Sequence, residues 1–160
     1  MSNLAKVGAP LANYAAWRRA GDFIFASGVI AVDPASRLAI DSFEQLDASA
    51  CAELQRIGYN TGQISVDAFE APIAVQSWFV LNRIREIARE CNGEMRDVVR
   101  VVQYFRDLRH YPIYNRVRGL FFADPVVSTV VEVSRMLPSD QVLVEVEATF
   151  YLPQRGSNPR

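Results

Sequence analysis

The chain has 160 residues, enough for one domain with its own core and too few for two. Half of its residues are hydrophobic and 22% are charged, the balance of an ordinary globular protein. A net charge of −1, with acids and bases interspersed, offers no clustered cationic stripe for phosphates, so nucleic acid is not expected as a partner.

Lys6 is the lone lysine, so any grip on an anion falls to a forked guanidinium. Cys51 and Cys91 form no CxxC, and His110 is the single histidine. That spacing holds no zinc site, so no metal is expected. The two thiols read as small buried side chains in a reducing cytoplasm. The opening Met-Ser-Asn-Leu-Ala-Lys lacks the apolar core of a signal peptide, and no apolar run approaches membrane length. A cytoplasmic protein without membrane contact is expected.

In chain order, Gly21-Asp22 predicts a turn between a strand near 15–20 and the β-prone Phe23-Ile24-Phe25-Ala26. Over 43–57, Phe43, Leu46, Ala50, Leu54 and Ile57 share a helical face, with Ser42 and Gln45 resembling a capping box and Gly58 a stop. A longer helix is expected to begin between Ala68 and Pro72, with Pro72 in its first turn, and to end at Asn92-Gly93. Residues 97–107 read as a strand apolar on both faces, and Tyr111 to Phe122 as a third helix. Two strands follow, 126–135 and 142–150, whose link Leu137-Pro138-Ser139-Asp140-Gln141 is short enough for a hairpin. The order implies an α+β domain, a single mixed sheet with helices on one face. Strands joined through helices are expected to be parallel. The tail from Gln154 to Arg160 is expected to fray.

Three stretches carry a resemblance. Asn13-Tyr14-Ala15-Ala16-Trp17-Arg18-Arg19-Ala20-Gly21-Asp22-Phe23-Ile24-Phe25-Ala26-Ser27-Gly28 is similar to a family pattern of the form P-Y-S-Q-A-V-x-x-G-D-F-x-F-x-S-G. The second runs from Tyr104-Phe105-Arg106-Asp107-Leu108 through Asn115 to Phe121-Phe122, and the third is Val142-Leu143-Val144-Glu145-Val146-Glu147-Ala148. Together they resemble the Rid family of reactive-intermediate deaminases, also called YjgF or L-PSP proteins. The resemblance covers residues 9–36 and 71–152. It implies a chorismate mutase-like fold, a homotrimer, and small-molecule clefts between subunits.

By that match Ser27, Gly28 and Asn115 line the cleft, Tyr14 closes it, and Glu145 orients the water that attacks an imine carbon. The family's substrate-gripping arginine falls on Ser128, and its nearby cysteine on Val130. A serine cannot fork a carboxylate. Either the substrate lacks that carboxylate, or another arginine (Arg106, Arg116, Arg118 or Arg135) reaches in, or the cleft binds without catalysing. His110, at a helix start, reads as a surface or capping residue. The segment from about Asp41 to Ala68 adds a helix and a turn to the family pattern, whose apolar face needs either its own sheet and long helix or a neighbouring subunit as partner. It is expected near a subunit edge, where it could alter the cleft mouth.

The functional expectation is a cofactor-free deaminase acting on an imine, enamine or related metabolite, and not on simple 2-imino acids. The alternative is a non-catalytic trimer that binds a small ligand. RNA cleavage, ascribed to some relatives, ranks last for a chain without a basic patch.

Overall fold

The computed structural model describes residues 13–154. The expected frayed tail lies, beyond Gln154, outside them. β1 (Trp17–Ala20) and β2 (Phe23–Ala26) form the expected hairpin, turned at Gly21 with φ 59°. β3 (Val29–Ile30) follows at once and pairs with β6 (Val144–Tyr151). β4 (Val98–Phe105) lies between β6, antiparallel, and β5 (Val127–Glu132), parallel, so the sheet runs β1-β2-β6-β4-β5. The parallel pair is the one joined through a helix, α3 (Tyr111–Arg118).

One expectation for the sheet fails. β5 and β6 do not form a hairpin; β4 is inserted between them. The link between them straddles the end of β4. The Val133 N–H donates to the Phe105 carbonyl at 2.8 Å, and the Arg106 N–H donates to the Leu143 carbonyl at 3.0 Å. β4 holds the richest apolar run in the sheet, and the central slot satisfies both its edges. Yet it is not buried throughout on both faces. The register shifts between Val98 and Arg100, and that irregularity turns Val99 and Arg100 outward.

α2 (Ser65–Glu90) covers the inner face of the sheet and buries Ile73, Val80, Ile84 and Ile87 against Val101, Phe105, Val146, Ala148 and Phe150. It starts earlier than the hydrophobic spacing predicts, which places Pro72 inside the helix rather than in its first turn. The anchor is Asp67, whose buried carboxylate accepts from the Asn60 and Gly62 N–H groups at 2.6 and 3.4 Å and pins the preceding turn. The helix ends as expected at Asn92-Gly93. Asn92 takes φ 62°, its N–H donates to the Arg89 carbonyl, and the Gly93 N–H donates to the Ala88 carbonyl at 2.8 Å. No helix among the described residues is long and apolar enough to cross a membrane.

The segment predicted as one helix over 43–57 divides into a single 3-10 turn at Phe43–Gln45 and α1 (Ala48–Gln55). Gln45 Oε1 accepts from the Asp41 and Ser42 N–H groups, closing the first turn, and Leu46 is extended with ψ 156°. Asp47 then caps α1 by accepting from the Ala50 N–H at 2.7 Å. Phe43, Leu46, Ala50 and Leu54 are buried in the core of their own protomer. The protomer's own sheet and long helix thus cover this face, one of the two partners expected for it. Trp78 on α2 donates to Glu53 at 2.7 Å and fixes α1 in place.

Candidate functional site

The strict in-out alternation of β6 buries Val144, Val146, Ala148 and Phe150 and turns Glu145 and Glu147 to the outer face of the sheet. Pairing then supplies the surroundings. Glu145 lies opposite Ile30 of β3 on one side and Tyr104 of β4 on the other.

Gly28 packs against this carboxylate. A Cβ at residue 28 would fall within 2.8 Å of Glu145 Cδ and closer still to Oε1, so a hydrogen is all the position holds while Glu145 stays where it is. Burial against Gly28 and its neighbours, and the nearby charge of Glu147, push the Glu145 carboxyl above the usual carboxylate range. Tyr104 is likewise raised, by burial first and then by Glu147 and Glu145. A half-buried carboxyl with a raised pKa holds its proton more readily than an exposed one, which suits a group that exchanges protons with water.

Ser27 is committed elsewhere. Its Oγ donates to the Ala15 carbonyl at 2.7 Å and its N–H to the Ala16 carbonyl at 2.9 Å. The hydroxyl therefore ties down the segment that carries Tyr14, which is exposed at 45%. Tyr14, Ser27, Gly28 and Glu145 thus belong to one neighbourhood of the chain.

Ser128 and Asn115 lie elsewhere. The β4–β5 register puts Ser128 opposite Val101, on the inner face, whereas Glu145 is outward. The Ser128 Oγ accepts from Gln103 Nε2 at 2.7 Å, and the same amide nitrogen donates to the Thr129 carbonyl at 3.0 Å. Asn115 is exposed on α3. Within one protomer Ser128 and Glu145 sit on opposite faces of the sheet, two strands apart. His110 precedes α3 at the N-cap position but donates and accepts no capping bond. It is partly buried, and that burial lowers its pKa.

Sequence reasoning missed Tyr104, Gln103, Tyr114 and the pairing of Gly28 with Glu145. Gln103 was open to detection as the one amide in the apolar run of β4. The contact of Gly28 with Glu145 depends on β3 reaching β6, a pairing of distant segments with no local signature.

Comparison with known proteins places the fold. The family profile described as endoribonuclease L-PSP matches residues 49–151. A RutC family protein of Pyrococcus abyssi is 31% identical over 143 residues, which covers 89% of this chain and 88% of that one. Among solved structures, a Klebsiella pneumoniae protein provisionally described as an endoribonuclease is 51% identical with a TM-score of 0.80, over 88% of this chain and 100% of that one. RidA from an Antarctic Psychrobacter shares the fold at 17% identity, with a TM-score of 0.66 over 95% of this chain and 100% of that one.

Proposed function

The chain belongs to the Rid/YjgF/L-PSP family, and we propose that it is a cofactor-free deaminase that hydrolyses an imine, enamine or related reactive metabolite in a cleft built by two subunits of a homotrimer. One observation carries the reading. Glu145 is a carboxyl with a raised pKa, lodged against a glycine backbone on the outer face of the sheet. That is the place and the protonation behaviour a water-activating group needs.

Glu145 accepts a proton from a water as its oxygen bonds to the imine carbon. The carbon–nitrogen double bond becomes single, and the nitrogen takes up the proton that Glu145 had accepted, which restores the carboxylate; the hydroxyl proton follows to nitrogen on collapse. Collapse of the resulting carbinolamine forms the carbonyl and releases ammonia, so one water is consumed for each ammonia produced. Tyr14, Ser27, Gly28 and Glu145 act from one subunit, and Asn115 and Ser128 from its neighbour. The placement of Ser128 and Glu145 on opposite faces of the sheet supports that division.

The outer face also supports assembly. Phe23, Phe25, Tyr151, Val127 and Val131 all lie on it, exposed by 36% or more, and a second copy of the chain would cover them. Ser128 offers only a hydroxyl, already engaged by Gln103, so simple 2-imino acids lose the forked partner their carboxylate requires. That same engagement favours the second reading, a trimer that binds a small ligand without turning it over. Ammonia release from freshly generated imines and enamines decides between them. Turnover by the wild-type protein that Glu145→Gln lowers at least about a hundredfold supports the deaminase. No release above the rate in buffer favours the binding protein.

A further inference from the structure

The described residues contain five buried side-chain nitrogen or oxygen atoms without a hydrogen-bond partner: Gln103 Oε1, Arg106 Nε, His110 Nδ1, Tyr114 Oη and Arg118 Nε. All five fall between residues 103 and 118, on β4, α3 and the turn that joins them. Folded proteins leave few such atoms, and each calls for a water, an ion or a ligand. Here they are concentrated in one connection of the fold.

Their placement is specific. Gln103 and Tyr114 are fully buried. Gln103 precedes Phe105 by two residues on the inner face, and the Phe105 ring meets the Tyr114 ring edge-on at 5.2 Å. Tyr114 and Arg118 are one helical turn apart on the same side of α3, close enough for the guanidinium to act on the phenol. Asn115 precedes Arg118 by three positions, again one turn away.

Among the four arginines able to stand in for the missing one, three are accounted for. Arg106 holds Asp140 at 2.6 Å. Arg116 holds Glu70 at 2.7 Å and lies over the Tyr59 ring. Arg135 is exposed beyond the end of β5. Arg118 makes no ion pair among the described residues, its Nε is shut off from solvent, and its guanidinium lies 5.6 Å from the Phe122 ring centre.

We infer that Arg118 and Tyr114 form an anion subsite that takes a substrate carboxylate remote from the imine carbon. The inference rests on the deaminase reading of the same cleft. Arg118 supplies charged N–H donors and Tyr114 an O–H donor. Both are donors that an anion would satisfy. Because this guanidinium rises from α3 and not from β5, the carboxylate is held one layer away from residue 128. The substrate class is therefore an imine or enamine whose carboxylate is several bonds from the reacting carbon.

The test is calorimetric titration of the intact protein with glutarate and with its uncharged diamide. Saturable glutarate binding without diamide binding is expected. Arg118→Gln should weaken it about ten- to a hundredfold, the loss of a charge-assisted pair, and Arg118→Lys by less. Tyr114→Phe, which keeps the ring in its packing, should weaken it severalfold. Arg116→Gln, which breaks the pair with Glu70, should lower the melting temperature and leave glutarate affinity unchanged. Absence of glutarate binding in the wild type overturns the inference, as does equal affinity in folded Arg118→Gln. Ammonia release from an imine with a remote carboxylate, against its methyl ester, is measured alongside. Turnover of both without an Arg118-dependent preference in KM leaves a deaminase with no such subsite. Arg118-dependent binding without turnover keeps the subsite and removes the deaminase.

Discussion

The hydrogen that serves as the side chain of residue 28 leaves room for the Glu145 carboxylate, and both halves of that contact are testable. Gly28→Ala would meet the flexible end of Glu145 rather than backbone, so the carboxylate swings aside. Stability should change by less than about 1 kcal/mol, while ammonia release falls at least about tenfold. Thermal melting and turnover on the same preparation check the pair of outcomes. The raised pKa of Glu145 gives a second one. Between the unfolded and native pKa values the native state keeps a proton that the unfolded chain has released. The stability Glu145 contributes is therefore complete below the unfolded value and is lost as pH rises through the native one. Urea unfolding of the wild type minus Glu145→Gln, stepped from acid to neutral pH, should fall in that direction. A difference that stays flat would mean a Glu145 that titrates alike in both states.

At the scale of elements, α1 is part of the core. Leu54 is fully buried, and Leu54→Ala should cost about 2–5 kcal/mol in urea unfolding, with the assembly unchanged. Dissociation of subunits with unchanged protomer stability would instead return α1 to an interface. Period and alternation made most elements legible in the sequence. The in-out pattern of Val142 to Phe150 places Glu145 on its face, and Gly21-Asp22 and Asn92-Gly93 end elements through backbone conformations those residues favour. Pairing partners were not legible. Two neighbouring apolar strands with a turn-like link look like a hairpin, but β4 needs partners on both edges and takes the place between them. The start of α2 was hidden because Asp67 acts through tertiary bonds to Asn60 and Gly62, while the periodic apolar residues begin later. The same limit applies to the site. Arg116 and Arg118 are two positions apart on one short helix, and only the location of Glu70 on α2 shows which of them is already paired.

The whole molecule leaves aromatic and aliphatic side chains on the outer sheet face, and the proposed site residues Glu145 and Ser128 on opposite faces. An assembly of copies resolves both. Light scattering should report a trimer at micromolar concentration, and Phe25→Asp, which puts a charge on the exposed sheet face, should shift it toward monomer. The central claim is that Glu145 of one subunit completes a site with Asn115 of another. Subunit complementation tests it directly. Glu145→Gln and Asn115→Ala, each impaired alone, are mixed, unfolded and refolded together, and ammonia release is measured. Random mixing in a trimer gives each cleft about a one-in-four chance of combining an intact Glu145 with an intact Asn115, so the mixture should recover up to about a quarter of wild-type turnover. A mixture that forms trimers yet stays at the level of the separate variants contradicts the composite site, as does an Asn115→Ala protein that keeps full turnover.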